Sequence, residues 1–289
     1  MDVYKVASEL KTKNQAFVIA FVVNAIGSSP GKAGFKMIVK SDGTSIGTVG
    51  GGAIEAEVLR EAKNCLTAGE NKLKEYFLSN KSPKLKDDVK IIPMSCNGGI
   101  TIYYEVHGKQ PIVYVFGGGH VGSSLLYFLK PLKFFTVLVD NRADYLSKDK
   151  NPSASEYILS DYDEFTRKFD PPEEAYFVIV THGHNYDEMI LKNIYSKKRN
   201  YNYIGVIASK SKAASLAKTL KNEFGNKLNL SNFHSPVGLK IGGSTAEEIA
   251  LGIAAEIQSV HYKKSNSKFL NTEYSNCFCF RYLKASVSV

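Results

Sequence analysis

Three glycines in the stretch VYVFGGGHVGSSLLYF, residues 113–128, have the spacing of a phosphate-binding turn. Gly117, Gly119 and Gly122 fall in GxGxxG register between an apolar run and an amphipathic one. At such a junction glycine permits a tight turn, lets the backbone approach an anion, and leaves N–H groups at the positive end of a helix. Asp140 closes the next apolar run, 23 residues after the first glycine, where a carboxylate could accept a hydrogen bond from a ribose hydroxyl. Arg142 follows two residues later, where a 2′-phosphate could be tolerated. The bland alternative is that the glycines serve only close packing of helix on sheet, with Asp140 capping a loop. His120, inside the turn, either offers a proton or ligand contact or faces solvent at the helix start.

Other segments carry polar groups at positions that suit an anion. In IGSSPGKAGFKMIV, residues 26–39, Ser28 and Ser29 supply hydroxyls, and Lys32 or Lys36 a positive charge; an ordinary hairpin loop has the same look. In GTVGGGAIEAEVL, Gly50, Gly51 and Gly52 lead directly into a helical pattern with Glu55 in its first turn. Three glycines there leave amides unshielded at a helix N-terminus, while Glu55 complements the dipole. THGHNYDEMIL places His182, His184 and Asp187 just after an apolar strand, at the edge where open α/β sheets bind ligands. Three groups are few for a metal, so contact with a ligand or fixing of the loop is the expected role, and no metal site is assigned. Cys96 precedes NGG at the head of a strand, where a thiol is either exposed and reactive or buried. Ser244 or Thr245 can cap a last helix that has Glu247 and Glu248 near its positive end, after a long glycine-rich loop.

The elements that must position these residues alternate in two rhythms. From Pro111 onward, apolar runs of about six residues are each followed by an amphipathic segment. Strands are expected at 111–116, 134–140, 156–159, 175–181 and 201–207, and helices at 119–130, 162–168, 185–197 and 210–224. That pattern is a doubly wound parallel sheet covered on both faces. Before it come a helix near 2–11 and a long strand at 15–25. Strands at 35–40 and 45–49 flank the turn SDG, a helix follows at 53–66, and strands at 73–78 and 99–106 are joined by a lysine-rich loop. Hairpins with helices indicate a smaller α+β domain. The boundaries read as 1–108 and 109–262, with HGKQP as linker, and a tail at 263–289 holding Cys277 and Cys279 whose structure the pattern does not specify.

Bulk properties narrow the function classes. A chain of 289 residues, 44% hydrophobic, suits two domains better than one. No signal-peptide pattern opens it, and the longest apolar run, Ala16 to Val23, is too short to span a bilayer; a soluble cytoplasmic protein is expected, with no membrane partner. The four cysteines form no CxxC pair, so reduced thiols are expected. The net charge of +9 is spread among acids rather than massed on one face, which favours a phosphate-bearing ligand over nucleic acid.

Taken in order, GSSPGKAGFKM, DGTSIGTVGGGAIE, CNGGI, VFGGGHVG, VDNR, THGHNYDEMIL, YIGVIASKSK and HSPVGLKIGGSTAEEIALGIAAEI resemble the XdhC/CoxI family of accessory proteins for molybdenum-containing hydroxylases. The resemblance runs over about residues 15–260. It implies an N-terminal XdhC/CoxI domain joined to a Rossmann-like domain, and a chaperone rather than a catalyst. The implied cargo is the molybdenum cofactor, held while a cysteine desulfurase helps install its terminal sulfur and then delivered to a xanthine dehydrogenase-type hydroxylase. A homodimer is implied too. The sequence departs from the family at SSPGK, where an arginine is usual, at Asn97 in CNGG, at IASKSK, and at Ala246 in place of proline. Two other readings of the glycine turn stand beside this one: an NAD(P)-dependent oxidoreductase, and a regulatory adaptor that binds a nucleotide to control docking on a partner enzyme.

Overall fold

The computed structural model describes residues 2–81 and 89–262. The tail with Cys277 and Cys279 lies outside the described residues. The chain divides after Gln110 into two compact units.

The first unit is a six-stranded sheet with a helix on each face. Strand β1 (Phe17–Gly27) pairs antiparallel with β2 (Lys36–Lys40) on one side and β6 (Gly98–His107) on the other. Including β3 (Ser45–Gly47), β4 (Lys72–Leu78) and β5 (Lys90–Ile92), the order is β3-β2-β1-β6-β4-β5, with only β4 and β5 parallel. Alternation along β1 sends successive side chains to opposite faces. Val18, Ala20 and Val22 join the main core under helix α2 (Ala53–Ala68), while Phe17 and Ile19 meet Ala7 and Leu10 of helix α1 (Val3–Thr12). β5 escapes sequence reading because three residues are too few to show a period.

The second unit is a parallel sheet of strands β7 (Ile112–Phe116), β8 (Phe135–Asp140), β9 (Glu156–Leu159), β10 (Tyr176–Ile179), β11 (Tyr203–Val206) and the two-residue β12 (Phe233–His234). The order β12-β11-β10-β7-β8-β9 is that of a Rossmann fold, with β7 as its first strand. Helices α3 (His120–Leu129) and α7 (Ala246–His261) cover one face through Leu125, Leu126, Leu129, Ala250 and Ile253, packed on Val113, Val115 and Val178. Helices α4 (Tyr162–Lys168), α5 (His184–Ser196) and α6 (Lys210–Phe224) cover the other, over Tyr114, Phe116 and Phe177. The chain leaves β7 toward β8 and later returns on its other side as β10. That reversal opens a crevice at the carboxyl ends of β7 and β10, where ligands of open α/β sheets bind.

Candidate functional site

The turn from β7 into α3 is shaped by backbone contacts that exclude side chains. Gly117 has φ +110°, and a Cβ there would stand 2.6 Å from the Val180 carbonyl oxygen, at the end of β10. Gly122 is excluded from carrying a side chain by the Gly117 carbonyl oxygen, so α3 rests directly on the turn. Gly119 differs: its φ is −68°, and a Cβ there would meet nothing within 4 Å. It is the N-cap of α3 and no side chain caps that end. Among the described residues, the amides of Gly119, His120, Val121 and Gly122 have no hydrogen-bond partner. The open face of the turn is thus a set of free N–H groups at the positive end of a ten-residue helix, which suits phosphate. His120 is the first residue of α3 and is exposed; its carbonyl accepts from the Ser124 hydroxyl.

Asp140 occupies the expected place at the end of β8, but its carboxylate does not face outward. It is fully buried, and both oxygens are engaged within the chain. Oδ2 accepts from the Gly118 amide at 2.7 Å and from Arg142 Nη2 at 2.9 Å; Oδ1 accepts from the Arg142 amide at 3.0 Å and from its Nε at 2.9 Å. The expected contact with a ribose hydroxyl is corrected: Asp140 holds the glycine turn and Arg142 together. Burial alone would raise its pKa, but the hydrogen bonds from Arg142 and the two amides outweigh it and keep the carboxyl below the ordinary range. Arg142 lies over the Tyr145 ring, 4.0 Å from its centroid.

The segment after β10 forms the other wall. His182 is exposed and leans against Tyr186, ring centroids 5.3 Å apart. His184 opens α5, and its side chain lies outside the described residues. Asp187 is buried, accepting from the Thr181 hydroxyl at 2.5 Å and pairing with Lys212 at 2.5 Å. It therefore fixes the loop rather than meeting a ligand, one of the two roles its position allowed. Among the described residues no group of three or more His, Cys, Asp or Glu is placed to hold a metal ion.

In the first unit, three loops flagged separately in the sequence come together at one end of the sheet. The Ser28 amide donates to the Asn97 carbonyl at 3.3 Å, a Cβ on Gly50 would stand 2.5 Å from the Gly31 nitrogen, and one on Gly52 would stand 3.5 Å from the end of Met94. Ser28 and Lys32 are exposed, and Cys96 is a half-buried free thiol packed against the core. Ser29 Oγ is buried without a hydrogen-bond partner. Lys36 is drawn away from the loop, donating to the Gly34 carbonyl at 3.1 Å and lying over the Phe21 ring. The glycine triplet differs from expectation. Glu55 reaches back so that one oxygen accepts from the Thr48 hydroxyl, the Val49 amide at 3.1 Å and the Gly51 amide at 3.0 Å, while the Gly50 amide donates to Thr48. Two of the three glycine amides are consumed, so the triplet is a closed turn with Glu55 as its internal anion rather than an open cradle. Burial opposes ionisation of Glu55, but these donors hold its pKa below the ordinary value.

Sequence reasoning missed Asn151, Tyr145, Thr181 and Lys212. Asn151 is buried and donates to the carbonyls of Gly118 and Tyr145 at 3.2 and 2.6 Å, tying the glycine turn to the loop after β8. No motif marks it, because its partners are backbone atoms distant in sequence.

A parallel sheet in Rossmann order, with an uncapped glycine turn after its first strand, defines the second unit as a Rossmann-type α/β domain. Residues 113–257 match the XdhC Rossmann domain family, and residues 10–76 match the XdhC and CoxI family. The chain belongs to the XdhC/CoxI family. It is 24% identical over 261 residues to the uncharacterized protein YqeB of Escherichia coli K12, covering 90% of this chain and 46% of that one. It is 31% identical over 150 residues to a probable xanthine dehydrogenase subunit of Bacillus subtilis 168, covering 51% and 42%. The chain thus spans less than half the length of these curated relatives. A solved structure described as a xanthine dehydrogenase from Bacillus halodurans is similar with a TM-score of 0.49 and 21% identity, covering 93% of this chain and 98% of that one. Among the described residues, no helix is long and apolar enough to cross a membrane.

Proposed function

We propose that this chain is an accessory protein that binds the molybdenum cofactor, supports its sulfuration and delivers it to a xanthine dehydrogenase-type molybdenum hydroxylase. The observation that carries the reading is the free N-terminal end of α3 at the switch point, within a chain of the XdhC/CoxI family. The residues fit the phosphate of such a cofactor: the Gly119, His120 and Val121 amides are open, and no side chain crowds Gly119. The Bacillus subtilis relative carries the name of a xanthine dehydrogenase subunit, which supports a hydroxylase of that type as recipient. When bound, the cofactor supplies the molybdenum centre on which the recipient's chemistry depends.

This chain's own contribution is to bind and orient. The α3 turn holds the phosphate by backbone amides, and His120 at the start of α3 and His182 after β10 are both exposed for polar contact. Within the first unit, the three converging loops gather Ser28, Ser29 and Cys96 at one end of its own sheet, a separate set of polar and thiol groups. A cysteine desulfurase is the sulfur donor in this scheme, in the cytoplasm, and the working form is a homodimer. Anaerobic purification from a cofactor-making host is expected to yield a pterin, read as its fluorescent oxidised derivative after denaturation. No pterin under any loading condition overturns the proposal.

A second reading, an NAD(P)-dependent oxidoreductase, is favoured by the Rossmann strand order. Calorimetry without a heat of binding for NAD, NADH or NADP at millimolar concentration removes it, whereas a nucleotide-controlled adaptor is tested by pull-down of a partner enzyme with and without nucleotide.

A further inference from the structure

Where the sequence offered Asp140 as the acid that reads a ribose, the structure puts a cation. Asp140 is fully buried, whereas about a third of the Arg142 side chain is exposed, so the pair shows its positive partner to solvent. Gly118 N and Arg142 Nη2 share a single oxygen, Asp140 Oδ2, at 2.7 and 2.9 Å. That shared acceptor anchors the guanidinium beside the glycine turn. Asp140 occupies Nε and one hydrogen of Nη2, which is one edge of the guanidinium fork. The second edge, Nη1 with the remaining hydrogen of Nη2, has no partner among the described residues. Tyr145 lies against one face, 4.0 Å from ring centroid to guanidinium carbon, and so restricts its rotation. A guanidinium held on one edge and one face, with its other edge free, is preorganised for two parallel hydrogen bonds to a phosphate.

The geometry points to Arg142 as a specificity-determining residue of the second unit, selecting ligands that carry a phosphate monoester where a bound nucleotide places its ribose 2′ oxygen. The assignment follows from position: the end of the second Rossmann strand is the ribose-reading place, and an arginine there accepts a 2′-phosphate. An exposed carboxylate at that place would repel the phosphate and favour the plain diol. Here the carboxylate is buried, and its charge is spent on Arg142. The inference rests on the reading of the α3 turn as a phosphate site, and it goes beyond that reading by naming a second anionic group on the ligand and the residue that takes it.

The test is isothermal titration of the full chain with NADP+ and NAD+ at low salt, for the wild-type protein and for Arg142→Ala and Arg142→Lys. The wild-type protein is expected to bind NADP+ at least about tenfold more tightly than NAD+, the ratio of one strong charge-assisted contact. Arg142→Ala is expected to bring the two affinities together by weakening NADP+ alone. Arg142→Lys keeps a positive charge beside Asp140 and protects the fold, and it retains only part of the preference because the fork is lost. Equal wild-type affinities overturn the assignment while leaving the phosphate turn standing. A preference that survives in Arg142→Ala overturns it as well. Binding of neither nucleotide overturns it together with the reading of the turn as a nucleotide-phosphate site. Thermal melts of each variant separate a lost contact from a lost fold.

Discussion

Two alanine substitutions, two residues apart in the same turn, are expected to have opposite signatures. In Gly117→Ala the new Cβ lies 2.6 Å from the Val180 carbonyl oxygen, 2.9 Å from its carbon and 3.1 Å from Thr181 Cα. All three are backbone atoms, so no side chain can swing aside. The residue also sits at φ +110°, where an L side chain costs about 1–3 kcal/mol. Overpacking against a fixed strand adds about 1–3 kcal/mol. Together these effects destabilise the second unit by about 4 kcal/mol, or about 10 °C in melting temperature for a unit of its size. Gly119→Ala meets nothing within 4 Å and keeps φ −68°, a conformation alanine adopts freely. Its stability is expected to stay level or rise by about 0.5 kcal/mol, through the smaller entropy of the unfolded chain. Its methyl group, however, stands on the face where an anion approaches. Affinity for a phosphate ligand should therefore fall about tenfold, or about 1.4 kcal/mol. Scanning calorimetry of both variants, paired with titration of whichever ligand the wild-type protein binds, checks the whole pattern. Equal destabilisation by the two variants, or a Gly119→Ala protein with unchanged ligand affinity, refutes the division of the turn into a packed side and an open side.

Glu55→Ala should lower the stability of the first unit by about 1–3 kcal/mol, because Val49, fully buried, loses the acceptor of its amide; urea denaturation that matches wild type would show that the turn closes without it. Acid should weaken the second unit for a reason traceable to Asp140 and Glu256, whose pKa values are both depressed in the folded state. A depressed carboxyl adds stability that is fully present above its unfolded pKa, about 4, and is lost as pH falls through the lower folded value. Denaturation midpoints measured from pH 7 to 3 should therefore decline below about pH 4, and Asp140→Asn should be less stable at neutral pH with a shallower decline. Tyr203→Phe removes the 2.5 Å hydrogen bond to Glu256 and should cost about 1–2 kcal/mol, visible as a lower melting temperature without loss of phosphate affinity.

Most of the fold is determined by local pattern. The apolar runs 112–116, 135–140 and 176–179, each with an amphipathic partner, specify strand and helix because burying both faces of a parallel sheet requires that alternation. The glycine turn is legible for the same reason: its demands are made by backbone geometry within a dozen residues. β5 and β12 fail to register, since two or three residues show no period and their pairing is decided by neighbours far along the chain.

The direction in which a side chain spends its charge is not a local property; it depends on contacts between residues far apart in the chain. Asp140 and Glu55 were both visible as acids near glycine amides. Whether each stays open to a ligand depends on which amides close around it: Gly118 and Arg142 for one, Val49 and Gly51 for the other. Asn151 and Lys212 carry no motif, because they act on backbone and side chains brought near by the sheet. Local sequence carries the family, the alternation behind the strand order and the glycine turn. Tertiary contacts decided that the glycine triplet is closed, that Asp140 and Asp187 face inward, and that Arg142 is the charge left facing out.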